Sequence, residues 1–158
     1  RVIDEDADRC FFVAEPEKLK ITGLPDDLKA EMEVHPEHPE RGSRSPDLDI
    51  EDGELEVLVD SSDHGDGFYR LKGLCNVEVE DGEAEYREGD HKDALENDAS
   101  FIHWVPSYAE IAEVKMPSGE TIEGRIEPNS IEEDEVVQFE RFGFVRCDST
   151  GVFYFAHQ

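Results

Sequence analysis

Lysine is the scarcest of the charged residues in this chain, with six Lys beside nine Arg, against 42 Asp and Glu in 158 residues. No apolar run approaches the roughly 18 residues of a membrane span, so no spanning helix is expected. Arg1 is not a methionine and no signal-peptide pattern follows it, so the chain reads as a soluble, cytoplasmic protein or a piece of a longer one. Cysteine is limited to Cys10, Cys75 and Cys147, an odd number with no CxxC. Each lies in or beside an apolar run, which points to buried free thiols in a reducing compartment. GxSxG, a P-loop and GxGxxG are all missing, and carboxylates are too abundant for any acid–base pair to stand out. No active site, and no cofactor of the chain's own, is expected.

What is present is acid. The net charge is −27. A chain with high charge and few apolar residues can be disordered, because it cannot offset the entropy of ordering. Here, however, hydrophobic residues make up 37% and the acids punctuate strand-like runs such as ELEVLVD and GETIEGRIEP. Dispersed Asp and Glu with depleted Lys resemble the proteins of halophilic archaea. In dilute buffer such a charge repels nucleic acid. At molar salt the Debye length is about 3 Å and the long-range repulsion is screened. An RNA partner then requires close contacts in place of a general attractive field.

The patterning is that of strands. RCFFVA (9–14), EKLKITGL (17–24) and ELEVLVD (54–60) are short and apolar or alternating. FYRLKGLCNVEVE (68–80) reads as two strands with a kink at Gly73, and EDGEAEYR (80–87) adds an Asp-Gly hairpin turn. SFIHWV (100–105), EIAEVKM (110–116), ETIEGRI (120–126), EVVQFERFGFVRCD (135–148) and GVFYFAHQ (151–158) continue the series. Residues 26–32 read as one or two helical turns, and residues 91–97 as a short helix or a solvated loop. About ten short strands predict an all-β barrel or sandwich, with two small barrels suiting the length better than one large sandwich.

The segment HPEHPERGSR (35–44) sets His35 and His38 three residues apart, half of a metal-site pattern. No second ligand pair stands at zinc-site spacing, and Pro36 and Pro39 impose a rigid, extended connector. Arg41 and Arg44 in the same segment are expected to tie the loop down. The remaining arginines are more informative. Arg9 in DRCFF, Arg70 in FYRLKG, and Arg141 and Arg146 in QFERFGFVR all lie beside aromatics or glycine turns. Guanidinium planes, amides and rings together are what reading unstacked RNA bases requires. The alternative is simple pairing of arginines with the many carboxylates.

Five ordered blocks, DADRCFFVAEPEKLKI, HPEHPERGSR, RLKGLCNVEVE, FIHWVP and VVQFERFGFVRCDST, resemble the C-terminal anticodon-binding region of the class I glutamyl- and glutaminyl-tRNA synthetases, the archaeal glutamyl type above all. The resemblance implies two β-barrels with few short helices, one inserted in the other: a proximal barrel from residues 1–65 and 124–158 and a distal one from 66–123. It implies that Gln138 reads the central anticodon uridine and that Arg141 lies at the anticodon loop. Arg9 would lie near the first two anticodon bases. Arg70 and Lys72 would face the first base and its backbone. Lys72 stands where some relatives carry Arg, and lysine lacks the planar fork for bidentate recognition. The implied partners are the anticodon loop of tRNA(Glu) and an N-terminal catalytic domain of the same polypeptide, which would use ATP and Mg; HIGH- and KMSKS-like motifs of such a domain do not occur here. One stretch departs from the pattern. Glutaminyl relatives carry extra basic residues before the RLxG strand, whereas this chain reads VDSSDHGDGFY, so third-base recognition does not carry over. A stand-alone β-barrel RNA-binding protein and a glutaminyl-type tail are the alternatives.

Overall fold

The computed structural model describes residues 6–158. Sixteen strands account for nearly all the regular structure. One seven-stranded sheet has the order β10-β7-β8-β9-β3-β6-β11, built from β3 (Pro16–Thr22), β6 (Leu55–Asp60), β7 (Gly67–Leu71), β8 (Cys75–Glu80), β9 (Glu83–Arg87), β10 (Ser100–Ile102) and β11 (Val105–Pro106). A second seven-stranded sheet has the order β1-β14-β15-β16-β12-β13-β2. It contains β1 (Asp8–Cys10), β2 (Phe12–Val13), β12 (Glu110–Lys115), β13 (Thr121–Ile126), β14 (Val136–Phe139), β15 (Gly143–Ser149) and β16 (Val152–His157). Of these sheets one is nearly closed into a barrel and the other forms half of one. A small ladder of β4 (Met32–Glu33) and β5 (Ser43–Arg44) completes the set. The all-β expectation holds.

Sheet membership places the first sheet within residues 16–106, as an insertion in the chain of the second. β12 and the start of β13 lie inside the 66–123 range, yet β12 pairs with the C-terminal strand β16, and β13, whose start pairs with β12, continues at Arg125 and Ile126 onto β2. The RCFFVA run joins the two halves. Strand alternation sends Phe11 and Val13 into the core of the first sheet, and Cys10 and Phe12 into the core of the second. A single apolar run therefore forms a wall of both cores.

Local chemistry explains the turns. Asp81 and Gly82, at φ 52° and 80°, close the β8–β9 hairpin, as the two left-handed positions of such a turn demand. The short helix α1 (His91–Glu96) is started by a capping box in which Asp90 accepts from the Asp93 backbone and Asp93 reciprocates. Residues 26–32 contain no helix: a turn at 26–27 leads through extended chain into β4, because Pro25 and Asp26-Asp27 favour a turn and no apolar stripe follows.

Candidate nucleic-acid interface

β1 and β14 run parallel with Arg9 directly opposite Gln138. Cross-strand partners share a face, and the flanking Cys10, Val137 and Phe139 point into the core. Arg9 and Gln138 therefore stand side by side on the outer face. The Arg9 backbone N–H donates to the carbonyl of Val34 at 2.8 Å. Its side chain makes no hydrogen bond or ion pair among the described residues, and its Nε is fully buried. The Gln138 amide likewise has no described partner.

The second half of the site comes from the first sheet. β7 and β10 are parallel and set Arg70 beside Phe101. Arg70 donates through Nη1 to Asn76 Oδ1 at 3.2 Å and pairs with no carboxylate among the described residues. The Phe101 ring is met edge-on by His91, with centroids 5.1 Å apart. Lys72 lies in the turn after β7. Its N–H donates to Ile102 and its carbonyl accepts from the Trp104 indole at 2.9 Å. Its ammonium reaches Glu140 Oε1 at 3.1 Å. The adjoining Gly73, at φ 72°, is pressed so closely on β4 that a Cβ would lie 2.5 Å from the Glu31 carbonyl.

Arg9, Arg70, Lys72, His91, Phe101 and Glu140 line one open cavity of about 450 Å³, whose rim also carries Glu31 and Glu33. In a chain of net charge −27, two arginines that pair with no carboxylate among the described residues open on the same hollow, beside the Phe101 ring. Such an arrangement offers planar donors and stacking faces to unpaired bases.

Arg141 does not join this lining. It sits in the turn between β14 and β15 at φ 66°, and its guanidinium grips Asp63 through Nη1 at 2.8 Å and Nη2 at 3.3 Å. Nη1 also lies 2.9 Å from His103 Nδ1. Burial and then the Arg141 charge hold the His103 imidazole below its ordinary pKa. Arg44 stacks over the Phe11 ring at 5.0 Å, donates through Nε to Glu127 at 2.8 Å and lies 3.8 Å from Glu140. Burial pushes the Glu127 carboxyl up, with Arg44 opposing. Arg41 pairs with Asp8 at 2.8 Å, so both arginines of HPEHPERGSR serve the loop. In the same loop His35 is buried against His38, with ring centroids 4.7 Å apart. His38 contacts Asp6 and Glu40, both at 3.1 Å.

Phe101, His91 and Glu140 were not singled out in the sequence. SFIHWV reads as core, and only the parallel β7–β10 register exposes Phe101 beside Arg70. Glu140 is one of 42 acids and has no signal of its own.

Residues 7–96 match the class I (E and Q) tRNA synthetase anticodon-binding domain, and residues 101–148 match a second segment of the same description. The chain belongs to this family. It is 42% identical over 163 residues to the glutamate–tRNA ligase of Methanothermobacter thermautotrophicus, covering 99% of this chain and 29% of that protein. It is 41% identical to the glutamate–tRNA ligase of Methanocaldococcus jannaschii over 154 residues, and 40% identical to that of Pyrococcus furiosus over 160. Those matches cover 93% and 94% of this chain, and 27% of each relative. The chain thus spans less than a third of the curated relatives it matches. Among the described residues no group of His, Cys, Asp or Glu is gathered to hold a metal ion, and no helix is long and apolar enough to cross a membrane.

Proposed function

We propose that this chain is the C-terminal, anticodon-reading part of a glutamate–tRNA ligase and that it grips the anticodon loop of tRNA(Glu) with the face carrying Arg9, Gln138, Arg70 and Lys72. The observation that carries the reading is Arg9, in register with Gln138 on β1 and β14 and lining one cavity with Arg70 and Phe101, with neither the Arg9 side chain nor the Gln138 amide partnered among the described residues. A Gln amide donates and accepts at once, as the Watson–Crick edge of a uracil requires. Arg9 and Arg70 offer planar donors, and Phe101 a ring on which a base stacks. On this reading the two sheets are the two barrels, with the barrel of β3 and β6–β11 inserted in the chain of the other. Arg141, in the turn that follows β14, belongs to the same anticodon-loop region.

Aminoacylation with ATP and Mg belongs to a catalytic domain of the same polypeptide outside these residues, in the cytoplasm. The acidic surface is that of a protein working in molar salt, where counterion release contributes little to RNA binding. Stacking, worth about 1–3 kcal/mol per base, then supplies much of the affinity. The test is titration of a fluorescent tRNA(Glu) anticodon stem-loop in molar potassium chloride. Binding that Arg70→Ala weakens while an unrelated loop binds poorly supports the reading. Equal binding of both loops, untouched by Arg70→Ala, contradicts it.

A further inference from the structure

The sequence singles out Arg146 beside Arg9, Arg70 and Arg141, and the binding face makes no use of it. It lies on the outer surface of the second sheet. Along β15, Val145 and Cys147 point into the core, so Phe144 and Arg146 point out. Register sets them in two rows that cross the strands. The first runs Arg9, Gln138, Phe144, His157, from β1 through β14 and β15 to β16. In it the Phe144 ring stacks on the His157 ring, with centroids 4.7 Å and planes 26° apart. The second row runs Arg146, Tyr154, Lys115, from β15 through β16 to β12. There the Arg146 guanidinium lies over the Tyr154 ring, 5.5 Å from its centroid, and Tyr154 is 40% exposed. Neither row contains an acid. The next row pairs Glu113 with Glu123, and there the surface turns acidic again.

We propose that the outer face of β15 and β16 is a second RNA-contact surface, continuous with the first. An unpaired base of the loop, next to the one that Gln138 meets, stacks against the Phe144–His157 pair, and Arg146 meets the phosphate beyond it. Three features carry this. Phe144 stands directly opposite Gln138 on the neighbouring strand, one strand spacing or about 5 Å away, so a chain of nucleotides leaving Gln138 reaches the stacked pair without a gap. Arg146 is held flat over Tyr154. Among the described residues its ion pair is with Asp134, at 3.1 Å, whose side chain is 78% exposed. Such an exposed pair is worth little, and a phosphate oxygen can take the place of the carboxylate. Finally, acids outnumber bases 42 to 15 in this chain. Two adjoining rows that carry Arg9, Arg146 and Lys115 and no carboxylate are a local complement to a phosphate backbone.

The inference rests on the binding face proposed above, and its test separates the two. The probe is the tRNA(Glu) anticodon stem-loop in molar potassium chloride, in four forms that differ only at the central base. The variants are Phe144→Leu, Tyr154→Ala and Arg146→Gln. Phe144→Leu is expected to weaken all four loops by about tenfold, the scale of one base stacked on an aromatic ring. Their ranking should not change, because stacking is indifferent to base identity. Tyr154→Ala and Arg146→Gln, at surface positions, should each weaken the loops about two- to fivefold. If Phe144→Leu loses its cooperative unfolding transition, ultraviolet cross-linking of the native chain replaces it. RNA attached to a peptide carrying Phe144 or Tyr154 then supports the surface, and cross-links confined to other peptides overturn it. A native chain that ranks the central bases, yet binds as tightly after all three substitutions, overturns this inference and leaves the binding face standing. A native chain that binds no loop refutes the binding face, and this surface with it.

Discussion

The residues that matter most here are those left without partners. Carboxylates outnumber basic groups 42 to 15, so an arginine that pairs with no carboxylate among the described residues is a local exception, and Arg9 and Arg70 are two such exceptions on one cavity. Their scarcity made them legible in the sequence, as did the aromatics beside them. Arg141 looked the same in the sequence as Arg9, and only the coordinates separate the two, because Asp63 lies 78 positions away along the chain. Buried polar groups yield further predictions. Burial raises the Cys10 and Cys75 thiols, the latter to about 12. Iodoacetamide at neutral pH is therefore expected to leave both unmodified in the folded protein and to alkylate them on unfolding, with mass spectrometry as the check. His103 is held below its ordinary value of 6.5, with Arg141, Asp63, Asp60 and Glu140 as its charged neighbours. The unfolded chain therefore takes up this proton first. Stability is retained above the ordinary value and falls as pH drops through it, by up to about 1.4 kcal/mol per pH unit. Urea midpoints at about pH 7.5 and 5.5 should show the loss, and His103→Gln should reduce it.

Elements come next. The alternating runs told nearly every strand of the two sheets apart, because each has one face in a core and one in water. The Asp-Gly hairpin at 81–82 was legible for the same local reason. Pairing was not, since the two sheets are assembled from distant segments. The parallel contacts β1–β14 and β7–β10, which build the candidate site, join residues far apart in sequence, and no local pattern encodes a partner strand. The β7–β8 turn shows how an element holds a functional group. Gly73 allows that turn to lie on β4, and the neighbouring Lys72 backbone is pinned from both sides. Gly73→Ala should cost about 1–3 kcal/mol of stability, as overpacking against a backbone oxygen generally does. It should also weaken loop binding more than Gly42→Ala, at a position where an added Cβ meets nothing within 4 Å. Thermal melts and the same titration check both.

The molecule as a whole has a net charge of −27 spread over two sheets. In dilute buffer that charge repels itself and the RNA alike. The fold is therefore expected to lose its cooperative unfolding transition as potassium chloride is withdrawn, followed by circular dichroism, and a transition retained without salt counts against adaptation to molar salt. Charge also sets the form of recognition. On the proposed reading, molar salt screens the field to about 3 Å, selection falls to groups that touch the loop, and Gln138 is the group assigned to the base. The most direct measurement compares four anticodon stem-loops that differ only in the central base, titrated in molar potassium chloride against the native chain and Gln138→Ala. The native chain should prefer uridine at the centre by about 1–3 kcal/mol, the scale of a good amide–base pairing, and Gln138→Ala should bind all four loops alike. Four equal affinities for the native chain, or a uridine preference that survives Gln138→Ala, would contradict the assignment of this face as the reader of the anticodon.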